Sequence, residues 1–454
     1  MLSFYDILRR TEEGKYMEEK EFDLKVIAKT TRRLVKEYDI RFNREEVVTS
    51  DISLADDIFK AGFELALESG IYCVSTRRVI KFTEEELKEG LRTTPGELIV
   101  GEGRDARILY ARKIEDQRPP IIMGGQAGAP IPEEFYYHMA LSYMQEPLID
   151  TINHGGLHKI KGVEVRTGSP AEALATILEL RYLREAAKAA GRPGIHLLAA
   201  ESSNTCIGDL AVQNPDGLRK TDAHLIAILN DLKTDYDRLT KAFTFKIYGG
   251  FNVALVDPVV GGFLGGPEGV AVGFIASYLL SRLIYYSDYY IIHPIHPKYV
   301  STSSLETMWV LNIVGQAMAR HTNFILMGDV WTSNGAGSYE VFYEIIANTI
   351  TNVVTGSHPL GVSATNGKYP NASGLETRFM AEVAHAAVKF KRSDANEIVK
   401  TFLKKYYPDK MEKPNYGRPF PELYDIETIQ PRKWWLELYN KAKKEAIDHG
   451  IPLE

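Results

Sequence analysis

From about residue 117 to residue 392, short β-branched segments alternate with long amphipathic segments, and this pattern predicts an α/β fold. The short segments end in Gly, His or Asp, as parallel strands do where they meet a loop. Alternation over about 270 residues favours a (β/α) barrel over an open, doubly wound sheet. The length of 454 residues fits one such barrel with extensions.

Seven segments have the composition of buried strands. They are residues 120–123, 148–152, 194–200, 242–247, 290–293, 324–327 and 360–363. Helices are predicted over residues 170–190, 222–243, 268–286, 305–321, 339–354 and 375–390. A closed barrel needs one strand more than these seven.

The helix over 170–190 has the clearest ends. Ser169 and Glu172 are spaced as a capping box, Pro170 stands at the first helical position, and Gly191 follows the last turn. Its apolar residues at helical spacing are expected to lie against the sheet: Leu174, Ile177, Leu178 and Tyr182.

The segments flanking the barrel differ from it in composition. Residues 1–116 are charged and helix-rich, which predicts an N-terminal helical cap, and residues 117–392 form the barrel. Residues 393–454 contain Pro-rich and Tyr-rich stretches before a last helix, and predict a C-terminal extension packed on the outside of the barrel.

Composition excludes several classes of protein. The net charge of -6 without a dense Lys/Arg tract argues against nucleic acid or an anionic membrane as partner. Cys73 and Cys206 are the only cysteines, which form neither a disulfide framework nor a zinc module. No signal peptide begins the chain, and the longest uncharged apolar run, residues 269–281, is too short for a ~20-residue membrane span. We therefore expect a cytoplasmic protein.

In a (β/α) barrel the active site lies at the carboxyl ends of the strands. The polar residues there are Gly124-Gly125-Gln126, Asn153-His154, Glu201, His293, His296 and Asp329. If Leu198 faces the interior, alternation places His196 inside as well and Glu201 at the rim. A rim carboxylate can hold a cationic substrate or exchange a proton with it, or it can cap the next turn. The loop after Gly124 fits neither nucleotide-binding fingerprint.

Four histidines offer a different chemistry. His154, His158, His293 and His296 follow two of the predicted strands, and one hypothesis is that their imidazoles converge on one metal ion. A histidine beside a strand end is more often a hydrogen-bonded rim residue, and we assign no metal ligand.

Several separated blocks of the chain resemble one family. Lys60-Ala61-Gly62-Phe63-Glu64, Gly70-Ile71-Tyr72-Cys73, Gly103-Arg104-Asp105-Ala106 and Ala190-Gly191-Arg192-Pro193-Gly194 are similar, in order and spacing, to monomethylamine:corrinoid methyltransferases. The likeness continues through Leu229-Asn230, Gly261-Gly262, Gly265-Gly266 and residues 376–384. It implies a (β/α)8 TIM-type barrel, which supplies the eighth strand, and a homo-oligomer.

The resemblance also implies a catalytic site. The family carries pyrrolysine, an electrophile that holds the amine, at the position that corresponds to Leu198, and a glutamate that corresponds to Glu201. Two further family glutamates correspond to Leu225 and Leu255, and a glutamine corresponds to Val330. These four replacements predict a largely apolar pocket with no electrophile.

These residues lead to a hypothesis of function. We expect a pyrrolysine-independent methyltransferase that moves a methyl group from a methylated amine, such as a quaternary ammonium, to the Co(I) of a corrinoid carried by a separate protein, with no tightly bound cofactor of its own. Glu201 is the expected catalytic residue, and Trp331 would contact the cation through its ring. Two alternatives stay open: a metal-dependent enzyme at the histidines, and a non-catalytic paralogue that binds a corrinoid protein.

Overall fold

Eight parallel strands close into a barrel and follow one another around it in chain order. The structure is a computed structural model that describes residues 2–214 and 216–453. Strand β8 pairs with β1 and so completes the barrel. The strands are β1 (Met123–Gly124), β2 (Thr151–Asn153), β3 (His196–Leu198), β4 (Ala223–Ala227), β5 (Phe251–Val256), β6 (Tyr289–Ile292), β7 (Leu326–Trp331) and β8 (His358–Ser363).

A helix follows each strand, which confirms the predicted (β/α)8 TIM-type barrel. The helices are α1 (Glu133–Met144), α2 (Pro170–Ala189), α3 (Cys206–Val212), α4 (Tyr236–Tyr248), α5 (Pro267–Ile284), α6 (Leu305–His321), α7 (Glu340–Thr355) and α8 (Gly374–Ala387). Helix α5 is long and apolar enough to cross a membrane by length and composition, but 94% of it is buried inside the fold.

The barrel interior is a packed core, not a channel. Met123, Leu198, Ile291, Met327 and Leu360 meet there, since alternate residues of each strand face inward. Two strands of a hairpin, Glu97–Val100 and Arg107–Tyr110, add further apolar side chains to the same core. The hairpin turn bonds to the backbone just before β3 and β4, so the hairpin closes the amino-terminal end of the barrel.

The N-terminal segment is helical, as predicted, but it also contains strands. Its main helices are Phe4–Glu13, Ala28–Glu37, Ile52–Ser69 and Glu84–Arg92. Strands Lys15–Tyr16, Ile71–Cys73 and Arg78–Ile80 form a sheet whose fourth strand, Lys233–Thr234, comes from the loop after β4. This segment shares one hydrophobic core with α5 and α6. The predicted boundary after residue 116 stays a prediction.

The C-terminal segment packs outside the barrel. Helix Arg392–Tyr406 lies against α7, and helix Lys433–Asp448 lies against α8. Trp435 stacks on Phe342 of α7 with ring centroids 5.2 Å apart, and the Trp435 side chain is fully buried. The extension therefore covers an apolar face of the outer helices.

Two element predictions around β4 and β5 are wrong. Residues 242–247 form part of α4, not a strand, because their apolar side chains belong to an amphipathic helix that ends at Gly249 with a φ of +101°. Residues 222–243, predicted as one helix, contain β4 and only the first half of α4. Strand β5 was not predicted. The other predicted strands and helices lie within a few residues of the observed ones.

Helix α2 begins and ends where predicted, but the capping box at its start does not form. Ser169 Oγ donates to the carbonyl of Arg166, and Glu172 instead accepts the backbone N–H groups of Gly168 and Thr205, each at 2.6 Å. Leu174 was expected against the sheet, yet 58% of it is exposed. Ile177, Leu178 and Tyr182 do pack on the core.

Candidate active site

Polar side chains from five strand ends surround the mouth of the barrel, at the carboxyl ends of the strands. Ile291 and Met327 face the barrel interior, and His293 and Asp329 stand two residues after them on the same face of their strands. Such residues continue the interior face toward the loops. We call six residues the mouth cluster: Asn153, Glu201, Asp257, His293, Asp329 and Trp331.

Glu201 is the carboxylate at the centre of this cluster. The backbone N–H of Gly128, the side chain of Asn153 and the carboxylate of Asp329 lie around it. Burial is the main cause that raises the pKa of Glu201 to about 7, and the negative charge of Asp329 acts in the same direction. A carboxyl group with this pKa can exchange a proton near neutral pH.

A buried glutamate of α2 holds the backbone at Glu201. Glu179 Oε1 accepts the N–H of Glu201 at 2.8 Å, and its Oε2 accepts the N–H of Ser202 at 2.9 Å. The Glu179 side chain is fully buried, which raises its pKa to about 8. On the other side, Lys241 Nζ donates to the carbonyl of Ser203 at 3.0 Å. The turn that carries Glu201 is therefore fixed by side chains of α2 and α4.

His293 and Asp329 form a buried pair across neighbouring strand ends. His293 Nδ1 lies 2.7 Å from Asp329 Oδ2, and the two residues are only 7% and 3% exposed. The imidazole meets the Trp331 ring edge to face, with centroids 4.7 Å apart. Because Asp329 and Trp331 both fix this ring, its second nitrogen, Nε2, has a fixed direction.

Two glycines make room for Trp331. A Cβ atom on Gly128 would lie 2.7 Å from the indole, and one on Gly367 would lie 2.5 Å from it. Both glycines have a left-handed backbone, with φ of +68° and +66°. The glycine-rich loop after β1 thus allows close packing of the indole and directs the Gly128 N–H toward Glu201.

Several buried polar atoms of the mouth have no hydrogen-bond partner among the described residues. They include both amide atoms of Asn153, Oδ1 of Asp329 and Nε1 of Trp331. A buried polar atom without a partner costs about 1–3 kcal/mol, and a ligand or an ordered water that bonds to these atoms would offset that cost. The mouth cluster is therefore the candidate site.

Comparison with known proteins identifies the family of the chain. Residues 2–451 match the family described as monomethylamine methyltransferase MtmB. The chain belongs to the MtmB family. It is 29% identical to monomethylamine methyltransferase MtmB1 of Methanosarcina barkeri and 30% identical to MtmB of Methanosarcina mazei, with 98% of each chain covered in both alignments.

Solved structures of the MtmB family give the same result for the fold. The crystal structure of the Methanosarcina barkeri monomethylamine methyltransferase superposes with a TM-score of 0.95 over 99% of this chain and 98% of that one. The hydroxylamine complex of MtmB matches equally well, also at 29% identity. The family resemblance predicted from the sequence is confirmed.

Three of the four residues predicted to form an apolar, substrate-binding pocket lie beneath the mouth. Leu198, the expected pyrrolysine position of the MtmB family, is buried in the interior core, and Leu225 and Leu255 pack against the same core while half-buried. These leucines form an apolar floor below the mouth cluster. Their contact with substrate stays a prediction.

His196 does not reach the mouth. Its Nδ1 lies 2.6 Å from the carbonyl of Thr221 and its Nε2 lies 3.2 Å from the Tyr289 hydroxyl. Burial lowers the pKa of this imidazole, which supports a neutral ring whose two nitrogens are both bonded. Alternation correctly placed His196 inside the barrel, but one layer below Leu198.

Val330 was expected in the pocket, and this is wrong. Its side chain faces outward and packs in the core between the strands and the outer helices. The inward residue at this strand end is Asp329, which bonds to His293. The expectation of an apolar residue in the pocket does not hold at this position, since a one-residue difference in register reverses the face of a strand residue.

The four histidines do not converge. His154 lies behind the strands, edge to face with Tyr136 at 4.8 Å, and burial lowers its pKa to about 3. His158 is exposed, and His296 stacks on Tyr299. Within the described residues, no group of three or more His, Cys, Asp or Glu side chains could hold a metal ion.

Asp257 is the member of the mouth cluster that sequence reasoning missed. It follows β5, and Asn230 Nδ2 donates to its carbonyl at 2.8 Å. Burial raises the pKa of the Asp257 carboxyl, with His293 acting in the opposite direction. The sequence did contain a pattern that predicts this strand: a mostly apolar segment, residues 251–256, follows two glycines and precedes Asp257-Pro258.

Proposed function

We propose that this protein is a pyrrolysine-independent methyltransferase. Its substrate is a methylated amine, bound as an ammonium ion at the mouth cluster, and the methyl acceptor is a corrinoid on a separate protein. Co(I) of that corrinoid supplies the nucleophile. The observation that carries the proposal is the half-buried Glu201 carboxylate, which lies near Asn153 and Asp329 in a barrel of the MtmB family.

The charges of the mouth favour a cation. Glu201, Asp257 and Asp329 bring three carboxyl groups to one face, and the mouth cluster contains no Lys or Arg side chain. An ammonium ion here would keep its positive charge, because nearby carboxylates stabilise the charged form. An amine that keeps this charge leaves as a neutral molecule when its methyl group is displaced.

The chain's own residues bind and orient the amine, because Leu198 provides no electrophile. Glu201 and Asp329 would hold the nitrogen, and the floor at Leu198, Leu225 and Leu255 would accept an apolar substituent. Glu201, at a pKa of about 7, can release or take up a proton as the amine departs.

A partner protein needs a surface at the mouth. Loops after three strands carry exposed apolar side chains on this face: Phe263 after β5, Val300 after β6 and Tyr369 after β8. They are between 39% and 48% exposed, and exposed apolar side chains that come together in one patch mark interaction surfaces. They support a corrinoid protein docked over the mouth. Assembly of this chain as a homo-oligomer, in the cytoplasm, belongs to the same proposal.

The test is methyl transfer to chemically reduced cob(I)alamin. Purified protein is mixed with methyl-, dimethyl-, trimethyl- or tetramethylammonium, and conversion to methylcobalamin is followed by absorbance. We expect conversion with at least one donor and a large loss in Glu201→Gln. Glu437→Gln, which removes an exposed carboxylate from the last helix, Lys433–Asp448, is the matched control and should retain activity.

Failure with every donor, while a pyrrolysine-containing MtmB protein works with monomethylamine in the same assay, would contradict the proposal. Binding of a corrinoid protein without transfer would then favour the non-catalytic alternative. The metal-dependent alternative has no support in the positions of the histidines.

A further inference from the structure

The loop after β6 holds the end of β7 at the point where β6 itself has ended. The ladder between β6 and β7 stops at the pair Ile292 and Gly328, so the last three residues of β7 extend beyond it. Thr302 of that loop takes the place of the missing strand, and its side chain is fully buried. The Thr302 hydroxyl donates to the carbonyl of Asp329 at 2.7 Å and accepts the N–H of Trp331 at 2.9 Å.

The same loop also binds the carbonyl oxygen of Trp331. The Thr302 N–H donates to this oxygen at 3.1 Å, Ser301 Oγ at 2.7 Å and Ser303 Oγ at 3.3 Å. Asn348 of α7 fixes the loop in turn, because its Nδ2 donates to the hydroxyl of Thr302 at 2.9 Å and to its carbonyl at 3.1 Å. Both backbone polar groups of Trp331 are therefore bonded to one segment that is itself held in place.

The ladder between β7 and β8 is interrupted at the same point. Val330 pairs with Gly361, but Trp331 pairs with Ser363, so one residue of β8 is passed over between the two pairs. Such an irregularity bends a strand locally and redirects the side chain beside it. Because the ladder is irregular there, the bonds to Thr302 are what set the direction of the end of β7.

We propose that Thr302 is a positioning residue of the mouth cluster, an inference that rests on the proposed binding of an amine at that cluster. Asp329 and Trp331 face the mouth from the two residues whose backbone groups the Thr302 hydroxyl joins. A shift of this strand end would move the Asp329 carboxylate away from His293, which it contacts at 2.7 Å, and the indole out of the space beside Gly128. Thr302, which is fully buried, acts on an amine through these two residues.

Thr302→Val tests the hydroxyl with little change in the shape of the side chain. Valine can neither accept the N–H of Trp331 nor donate to the carbonyl of Asp329. The chain has four tryptophans, so the emission of Trp331 is obtained by subtracting the spectrum of the matching Trp331→Phe protein. We expect a shifted Trp331 emission maximum, faster quenching by acrylamide and about tenfold weaker methylammonium binding in calorimetry, the effect of losing one hydrogen bond.

Two further variants separate positioning from a general loss of stability. Thr302→Ser keeps a hydroxyl in the same place and should restore most of the wild-type emission and affinity. Thr355→Val removes another fully buried hydroxyl, which donates to the carbonyl of Thr351 at 2.7 Å in the last turn of α7. It should leave Trp331 emission and amine affinity unchanged, whatever its effect on the urea midpoint. The inference is overturned if Thr302→Val keeps the wild-type emission, if Thr302→Ser behaves like Thr302→Val, or if Thr355→Val produces the same changes.

The fluorescence measurements do not depend on the proposed function. If the wild-type chain binds no amine, a changed Trp331 emission in Thr302→Val still supports the positioning role, and the result counts only against amine binding. If Thr302→Val does not fold, amide hydrogen exchange of the wild-type chain decides the question. We expect the Trp331 amide to exchange as slowly as the amides within β7, whereas exchange as fast as that of exposed loops overturns the inference.

Discussion

Replacement of Glu179 by glutamine should change how the stability of this barrel depends on pH. In wild type the two carboxyl oxygens of Glu179 accept consecutive backbone N–H groups, those of Glu201 and Ser202. In Glu179→Gln an NH2 group replaces one oxygen and faces a backbone donor. Leaving one buried N–H unsatisfied costs about 1–3 kcal/mol of unfolding free energy.

The sign of the pH effect follows from the pKa of Glu179. Burial raises it from 4.5 to about 8 in the folded protein, so between these values the folded protein holds a proton that the unfolded chain has lost. Wild-type stability from this group is therefore fully present below about pH 4.5 and falls as pH rises, by at most about 1.4 kcal/mol per pH unit. Glutamine does not titrate. The deficit of the variant should be largest near pH 5, should shrink as pH rises, and should reverse before pH 8, because the fall in wild-type stability over this range exceeds the cost of one unsatisfied N–H.

The assay is urea unfolding of both proteins at pH 5, 6, 7 and 8, with Glu344→Gln as the matched control. Glu344 of α7 accepts the N–H groups of Ser333 and Asn334 at 2.8 and 2.9 Å, and its pKa is raised to about 7. The loss of unfolding free energy in Glu344→Gln should stop changing with pH near pH 7. Only Glu179→Gln should also weaken methylammonium binding, because it alone holds Glu201. A deficit that is the same at every pH would refute the reasoning.

Two further substitutions test individual contacts. Gly128→Ala adds a Cβ atom 2.7 Å from the Trp331 indole at a φ of +68°, so we expect a displaced ring, a change in tryptophan fluorescence and weaker amine binding; unchanged fluorescence and affinity would contradict the packing described. His154→Phe should leave methyl transfer and amine binding unchanged, because this imidazole lies beside Tyr136 with both nitrogens unpartnered among the described residues. Its unfolding free energy should be equal or higher, and a loss of activity on this substitution would return His154 to the site.

The fold was largely predictable from local signals. Helices with strong ends, such as α2 and α6, and apolar strands between them follow from periodicity and capping residues. The predicted elements were wrong over residues 222–247. In this segment the apolar residues of α4 repeat with helical spacing and also contain a short alternation that is typical of a strand. There only the pairing of β4 with β5, a contact between distant residues, decides the structure.

The candidate site was predictable in position but not in composition. Strand ends supplied Glu201, His293 and Asp329 as residues to weigh, because the architecture fixes where an active site lies. The register of β7 was not available from sequence, and it decides that Asp329 and not Val330 faces the mouth. The hydrogen bonds from the Glu201 and Ser202 backbone to Glu179 could not be predicted, because Glu179 lies on α2 and no local sequence pattern marks it.

The mouth contains buried polar atoms that lower the stability of the fold, which argues against a site whose residues now serve only for packing. Asn153, Asp329 and Trp331 each bury a polar atom without a partner among the described residues, and Glu179 and Glu201 are held neutral or partly neutral by burial. Each such group lowers the stability of the fold, and an apolar residue of similar size would relieve the cost. Leu198, Leu225 and Leu255 demonstrate that this interior accommodates apolar replacements. A ligand or an ordered water that bonds to these polar groups would offset that cost, and the binding of an amine by the wild-type protein tests the first of these.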